Sequence, residues 1–261
     1  MAGAYRFAGA PASVRGSGEL PVGPVTASAW AAASRPGELA IRWYDGRIDA
    51  QTNVDHDEAI LASGQPAARV GVLIDVSVSL GVAQADGVAS AATARRLGLP
   101  VVRRTSGGTG LLHMDGDLTW SVVLPRHHPL LPRDFVHAYD TLGAGAVAFL
   151  AELGIESEWS LPFGIVDDFC LLGPRGQVLT VDSHAIGGAA QHVTRHALLH
   201  QGMISYRLDG DLLRRVFDLD DRLVSRYLTS LRDLGTAEPP HVLGPLLLEH
   251  ISRALAALGP E

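Results

Sequence analysis

Between Val101 and Asp117 the chain places two arginines, a serine, four glycines and a histidine in one short stretch, Arg103-Arg104-Thr105-Ser106-Gly107-Gly108-Thr109-Gly110-Leu111-Leu112-His113 at its centre. Glycine lets the backbone approach a ligand closely and take positive φ. A Ser-Gly-Gly-Thr-Gly run can therefore turn several amides toward one anion while the guanidiniums of Arg103 and Arg104 neutralise it. That is phosphate or carboxylate chemistry. No Gly-Lys-Ser/Thr follows the run, and the spacing and the strand that comes next differ from a dinucleotide fingerprint. The other candidate nucleophile is Cys170, the only thiol in the chain. A cysteine attacks as its thiolate and needs a basic neighbour; none is adjacent in sequence, so His184 or His113 would have to approach in space. Among the eleven histidines, His127-His128 precede Pro129, and His192, His196 and His200 lie four apart. No cysteine or carboxylate completes either set, and no metal site is assigned.

The elements that must position these residues alternate between strand and helix. Glu38 to Tyr44 reads as a strand ending in a turn at Asp45-Gly46. Asp55 to Leu61 reads as the start of a helix, Gly71 to Leu80 as one strand, Asp86 to Leu97 as an Ala-rich helix, and Val101-Val102 as the start of another strand. Leu118 to Leu124 reads as a strand and Phe135 to Leu153 as a helix. Phe169 to Leu172 and Val178 to Val181 read as a hairpin about Gly173 to Gly176, followed by a second Gly-rich loop from His184 to Gln191. Asp211 to Leu234 and Val242 to Leu258 read as two helices separated by Glu238-Pro239-Pro240. Residues 1–38, rich in Ala, Gly, Pro and Ser, read as a loosely ordered N-terminal segment.

Composition bounds the function. With 261 residues and 47% hydrophobic content the chain can bury a full core. A formal net charge of -7 argues against nucleic acid or an anionic membrane as partner. One cysteine allows no intrachain disulfide and, with no long apolar run or signal-like start, makes the cytoplasm the expected location. All 21 basic side chains counted as Lys plus Arg are arginines, so any mechanism that needs a lysine of this chain is excluded.

The stretch Arg103 to Ser121 resembles the Arg-Arg-x-Ser-Gly-Gly-Gly-x-Val-x-His-x-x-Gly-Asn-Leu-x-x-Ser signature of lipoate-protein ligases. Further points keep the register: Asp57-Glu58 in an early helix, Ser79 to Gln84, Asp167-Asp168 before a strand, and Ile186-Gly187-Gly188-Ala189-Ala190-Gln191. The resemblance covers roughly residues 40–255 and places the chain in the lipoate-protein ligase and octanoyltransferase superfamily. It implies an α+β fold, a mixed sheet flanked by helices as in biotin and lipoate ligases, with a C-terminal helical tail. The implied organisation is the segment 1–38, a catalytic domain over 39–210, and C-terminal helices over 211–261 packed on it.

The resemblance also implies substrates and roles. ATP with Mg²⁺ and lipoate or octanoate would form an acyl-adenylate, and a lysine of a lipoyl domain or of a glycine-cleavage H-type protein would take the acyl group. Arg103, Arg104, Ser106, Gly107, Gly108, Thr109, His113, Asp117, Gln84, Asp168, Ile186, Gly187 and Gly188 would form the acyl and nucleotide site. Arg104 would face phosphate and acid, and Leu80, Leu111, Leu112 and Ile186 are candidate walls for the aliphatic tail. The chain departs from the pattern where the ligases carry a lysine before Ile-x-Gly: here stands Ala185, and neither His184 nor Arg195 replaces an ammonium directly. Thr109 stands for a third glycine and Asp117 for an asparagine, where a carboxylate near phosphate would repel it. Three readings follow: an acyl-adenylate ligase despite Ala185, a transferase carrying the acyl group on Cys170, or a catalytically silent relative that binds an acyl chain, a nucleotide or a lipoyl-domain partner.

Overall fold

The computed structural model describes residues 41–131 and 134–258, so the expectation for residues 1–38 lies outside them. A seven-stranded sheet runs in the order β1 (Ile41–Ile48), β2 (Ala67–Leu73), β6 (Leu118–Pro125), β10 (Ala197–Ile204), β9 (His184–Val193), β8 (Gln177–Val181), β7 (Glu158–Ser160). β1 and β2 are parallel and every other neighbouring pair is antiparallel. A smaller sheet joins β3 (Ser77–Leu80) to β4 (Val101–Arg103) in parallel and to β5 (Leu111–His113) antiparallel. The six helices among the described residues are α1 (Ala50–Ser63), α2 (Ala89–Arg96), α3 (Phe135–Glu152), α4 (Gly210–Phe217), α5 (Asp221–Tyr227) and α6 (Pro240–Ala257). The architecture is the mixed sheet with flanking helices that the resemblance implies.

Alternation along the central strands divides the core. On one face Leu118, Trp120, Val122 and Leu124 of β6 pack with Leu142, Phe149, Leu247 and Ile251 of α3 and α6. On the other, Val123 packs with Ile60 of α1 and Leu199 of β10, while β3, β5, α2 and α4 gather a second cluster around Leu80, Leu112, Phe169, Leu172 and Phe217. Small residues permit the close approaches: a Cβ on Gly202 would stand 2.2 Å from the Trp120 ring.

Several elements differ from expectation, each for a local reason. β1 does not stop at Asp45-Gly46; Gly46, at φ +71°, absorbs a register shift between Tyr44 and Arg47, and the strand continues to Ile48. α1 begins at Ala50, because Asp49 caps it by accepting from Thr52 N at 2.8 Å. The run Gly71 to Leu80 is two strands in two sheets. It breaks at Ile74 to Val76, where the Asp75 side chain accepts from Ala50 N at 3.1 Å and ties the break to the start of α1. Phe169 to Leu172 is not a strand but a 3-10 turn at Cys170–Leu172, and β8 pairs with β7 instead. The stretch His184 to Gln191 is not a loop but β9, its Ala and Gly content letting neighbouring strands close in: a Cβ on Gly187 would meet Met203 O at 2.1 Å. The helix expected from Asp211 to Leu234 divides into α4 and α5. Asp218 takes φ +54° at the end of α4, Asp220 caps α5, and Thr229 to Leu234 is not helical.

Candidate functional site

Four segments meet between the large sheet and α1: β3, the loop from Arg104 to Gly110 with β5, the Cys170 turn, and the inner faces of β9 and β10. A narrow slot opens there. It holds about 60 Å³ of room for solvent-sized molecules inside about 690 Å³ of empty space that includes its mouth. Leu73, Val102, Leu111, Leu171, Ala189 and Met203 give it apolar walls, and Arg104, Ser106, His113 and Cys170 also line it.

Arg104 organises the loop. The residue is 6% exposed. Nη1 donates to Ser79 O at 3.1 Å and Ser79 Oγ at 3.2 Å, and Nη2 donates to Gly107 O and Thr109 O, both at 2.8 Å. Val82 N donates to Ser106 O at 3.0 Å. With their carbonyls pinned and every described peptide trans, the amides of Gly107 and Gly108 point away from these donors. Among the described residues, no hydrogen bond is made by the amides of Thr105, Ser106, Gly107, Gly108 or Thr109, which leaves a run of free donors. Close packing holds the loop in place: a Cβ on Gly81 would lie 2.1 Å from Gly108 O.

Cys170 is set against this loop by backbone bonds, Cys170 N to Gly110 O at 2.7 Å and Gly110 N to Asp168 O at 3.1 Å. Its Sγ lies 3.9 Å from Arg104 Nη2 and would be 3.2 Å from a Cβ on Gly108. His113 bonds Ser79 Oγ through Nε2 at 2.9 Å, so Ser79 bridges it to Arg104, a link that Ser79 alone gave no means of reading from sequence. Burial first, and the Arg104 charge second, push the His113 imidazole down to about 3; it is neutral near pH 7. Among the described residues, His113 Nδ1 and Ser106 Oγ are buried without a hydrogen-bond partner, polar atoms at the slot that a ligand would satisfy.

The remaining residues fall into two groups. Arg103 donates to Gly81 O at 2.6 Å and pairs with Asp86, and Gln84 donates to Asp168, so these side chains brace the rim of the loop. Gly188 lines the slot. Ile186 packs in the core on the other face of the sheet, and Leu80 and Leu112 lie in the second core cluster; of the four candidate tail walls only Leu111 lines the slot. Asp117 is buried away from the slot, accepting from Met114 N at 2.8 Å and Tyr206 N at 2.9 Å, and burial pushes it up to about 7. Ala185 is fully buried, its carbonyl accepting from Thr229 N at 3.0 Å. His184 turns back to Asp182 O and lines a separate depression with Leu228 and Thr229, while Arg195 bonds His196 in the β9–β10 hairpin. His192 pairs across from Leu199, so His200, the next residue along, projects from the opposite face. One wall was not foreseen from sequence. Asn53 and Asp57 of α1 line the slot with Thr119 and Gln201, and Asp57 is held by Arg69 at 3.1 Å and by Gln201 Nε2 at 3.0 Å.

Residues 49–239 match the family model of the lipoyl protein ligase A/B catalytic domain. The chain belongs to this family. It is 36% identical over 132 residues to octanoyltransferase LipM of Exiguobacterium sp., covering 47% of this chain and 48% of that protein. To the LipM of Geobacillus kaustophilus it is 32% identical over 143 residues, covering 51% of each. The chain thus spans about half the length of the relatives it matches. A crystal structure of lipoate-protein ligase A bound with ATP superposes with a TM-score of 0.67 at 22% identity, covering 82% of this chain and 85% of that one. The bi-partite lipoate protein ligase of Thermoplasma acidophilum superposes with a TM-score of 0.63 at 21% identity, covering 82% and 83%. These superpositions are likenesses of fold.

Proposed function

We propose that this family member is an acyltransferase that carries a medium-chain acyl group, octanoyl or lipoyl, on Cys170 and passes it to a lysine of a lipoyl-domain protein. The observation that carries the reading is the thiol itself: Cys170 lines an apolar slot beside a buried guanidinium and a run of unpartnered amides. In the first half-reaction the Cys170 thiolate attacks the carbonyl carbon of a carrier-bound thioester. A new C–S bond forms, the old one breaks, and the carrier sulfur leaves as a thiolate. In the second, the acceptor amine attacks the Cys170 thioester, a C–N bond forms, Cys170 leaves as a thiolate, and the amine proton passes to solvent. Both steps develop negative charge on the carbonyl oxygen, and the loop amides from Thr105 to Thr109, which make no hydrogen bond among the described residues, are the donors this reading assigns to it. The names of the LipM relatives agree with this class of transfer.

An acyl-adenylate route fits these residues less well. The chain has no lysine, Ala185 is buried under Thr229, and both terminal nitrogens of Arg104 already donate to protein oxygens.

Intact-mass spectrometry of a lipoyl-domain acceptor tests the reading. With an octanoylated carrier and no ATP, the acceptor gains one octanoyl group in the presence of the wild-type chain and none with Cys170→Ser. A gain that needs ATP with free lipoate or octanoate, and that survives Cys170→Ser, overturns it in favour of the ligase. Absence of any gain alongside retained acyl binding overturns it in favour of a silent binding relative.

A further inference from the structure

Arg104 is a buried cation without an anion. Its terminal nitrogens meet two backbone carbonyls of the loop, one of β3 and one hydroxyl, all neutral, and among the described residues it pairs with no carboxylate. Every other arginine with so little exposure would be expected to find one, and Arg69, 1% exposed, does, lying against Asp45 at 2.6 Å and Asp57 at 3.1 Å. Leaving a buried charge uncompensated is costly. The group beside Arg104 that can become an anion is the Cys170 sulfur at 3.9 Å, while the nearby His113 is held neutral by burial. We propose that Arg104 is the fixed counter-ion of the Cys170 thiolate and so the residue that activates the nucleophile.

This assignment rests on the reading of Cys170 as the acyl carrier, and it bears on both half-reactions. Acylation removes the anion: the sulfur becomes a neutral thioester, the charge departs on the carrier thiolate, and Arg104 is left uncompensated. Attack on the acyl-enzyme, by the acceptor amine going forward or by the carrier thiolate going back, expels Cys170 as a thiolate and restores the pair, so the cation stabilises Cys170 as the leaving group of both half-reactions. Arg104 cannot give up its own proton and acts through its charge alone. Its hydrogen bonds to Gly107 O and Thr109 O hold that charge in register with the loop amides, so one side chain sets both the nucleophile and the oxyanion donors.

Alkylation of Cys170 by iodoacetamide tests the pair without any acyl substrate. The full chain has one thiol, so the rate reads one site, and the rate of the urea-unfolded chain normalises each variant. At pH 7, Arg104→Gln slows alkylation of the folded chain at least tenfold, whereas Arg104→Lys, which keeps the charge, stays within about threefold of wild type. A merely structural role for Arg104 gives the opposite result, since loosening the loop exposes the thiol and speeds its reaction; an unchanged or faster rate in Arg104→Gln overturns the proposal. If Arg104→Gln does not fold, melting of the wild-type-Arg104 pair Cys170→Asp and Cys170→Asn decides. An uncompensated cation at that distance makes the Asp variant melt higher than its neutral isostere, and an equal or lower melting temperature overturns the pairing. Because neither measurement involves turnover, the thiolate pair can fail while acyl transfer stands, or hold while transfer fails.

Discussion

A methyl group at Gly108 has nowhere to go. The position is at φ +92°, and its Cβ would lie 2.7 Å from Arg104 Nη2 and 3.2 Å from Cys170 Sγ. Gly108→Ala therefore costs about 1–3 kcal/mol in backbone strain and displaces the guanidinium from the sulfur; octanoyl transfer in the mass assay falls at least tenfold, and an unchanged rate places the loop away from the reacting atoms. Gly81→Ala pushes on the Gly108 carbonyl from the other side. Ser79→Ala removes the hydroxyl that joins Arg104 to His113 and leaves neither imidazole nitrogen of His113 with a partner. Its expected cost, about 1–3 kcal/mol in urea unfolding, distinguishes a structural bridge from an idle contact. The side chains of this loop were readable from sequence because they are unusual in type and spacing. That Arg104 faces the loop's own carbonyls was not, since a guanidinium that binds an external anion and one that braces a turn have the same sequence.

At the scale of elements, legibility followed side-chain chemistry. β6, with its Val-Val-Leu run, and α3, with apolar residues at helical spacing, were visible; β9 was not, because its strand character comes from what its neighbours require rather than from β-branched residues of its own. Gly187 is the test: a Cβ there would stand 2.1 Å from Met203 O, a backbone atom that cannot swing aside. Gly187→Ala is expected to lose about 1–3 kcal/mol, read as a lower urea midpoint, whereas a loop at this position would tolerate it. The Cys170 turn escaped for a related reason. Phe169 to Leu172 is apolar enough for a strand, but its backbone is claimed by Gly110 and by the 164–166 segment. The slot's polar wall came from α1, whose Asn53 and Asp57 are ordinary helix residues until β2 and β10 bring Arg69 and Gln201 beneath them.

At the scale of the whole molecule, buried ionisable groups set how stability responds to acid. His200 is pushed down to about 3 by burial from an ordinary value of 6.5. Its contribution is fully present above pH 6.5 and is lost as the pH falls toward 3, because only the unfolded chain takes up the proton. Asp117, raised to about 7 from 3.8, works in the opposite sense: the folded chain keeps a proton that the unfolded chain has released, so its contribution is present below pH 3.8 and lost as the pH rises through 7. Urea midpoints at pH 7 and pH 5 separate the two. His200→Gln loses less stability on acidification than wild type and Asp117→Asn loses more; identical pH dependence in all three chains removes both groups from the account. Among the described residues, no helix is long and apolar enough to cross a membrane.

The strand order has a bearing on how the chain is made. β6 lies inside the large sheet, between β2, which precedes it by some fifty residues, and β10, which follows by some seventy. On a ribosome extending the chain from its N-terminus, β6 can pair with β2 early, but its other edge, Leu118 to Pro125, stays open until residues 197–204 emerge. Through that interval the nascent protein presents an apolar, unpaired strand edge. This is the moment at which a chaperone has most to protect, and both the sheet and the candidate site are completed when the same late hairpin, β9–β10, closes.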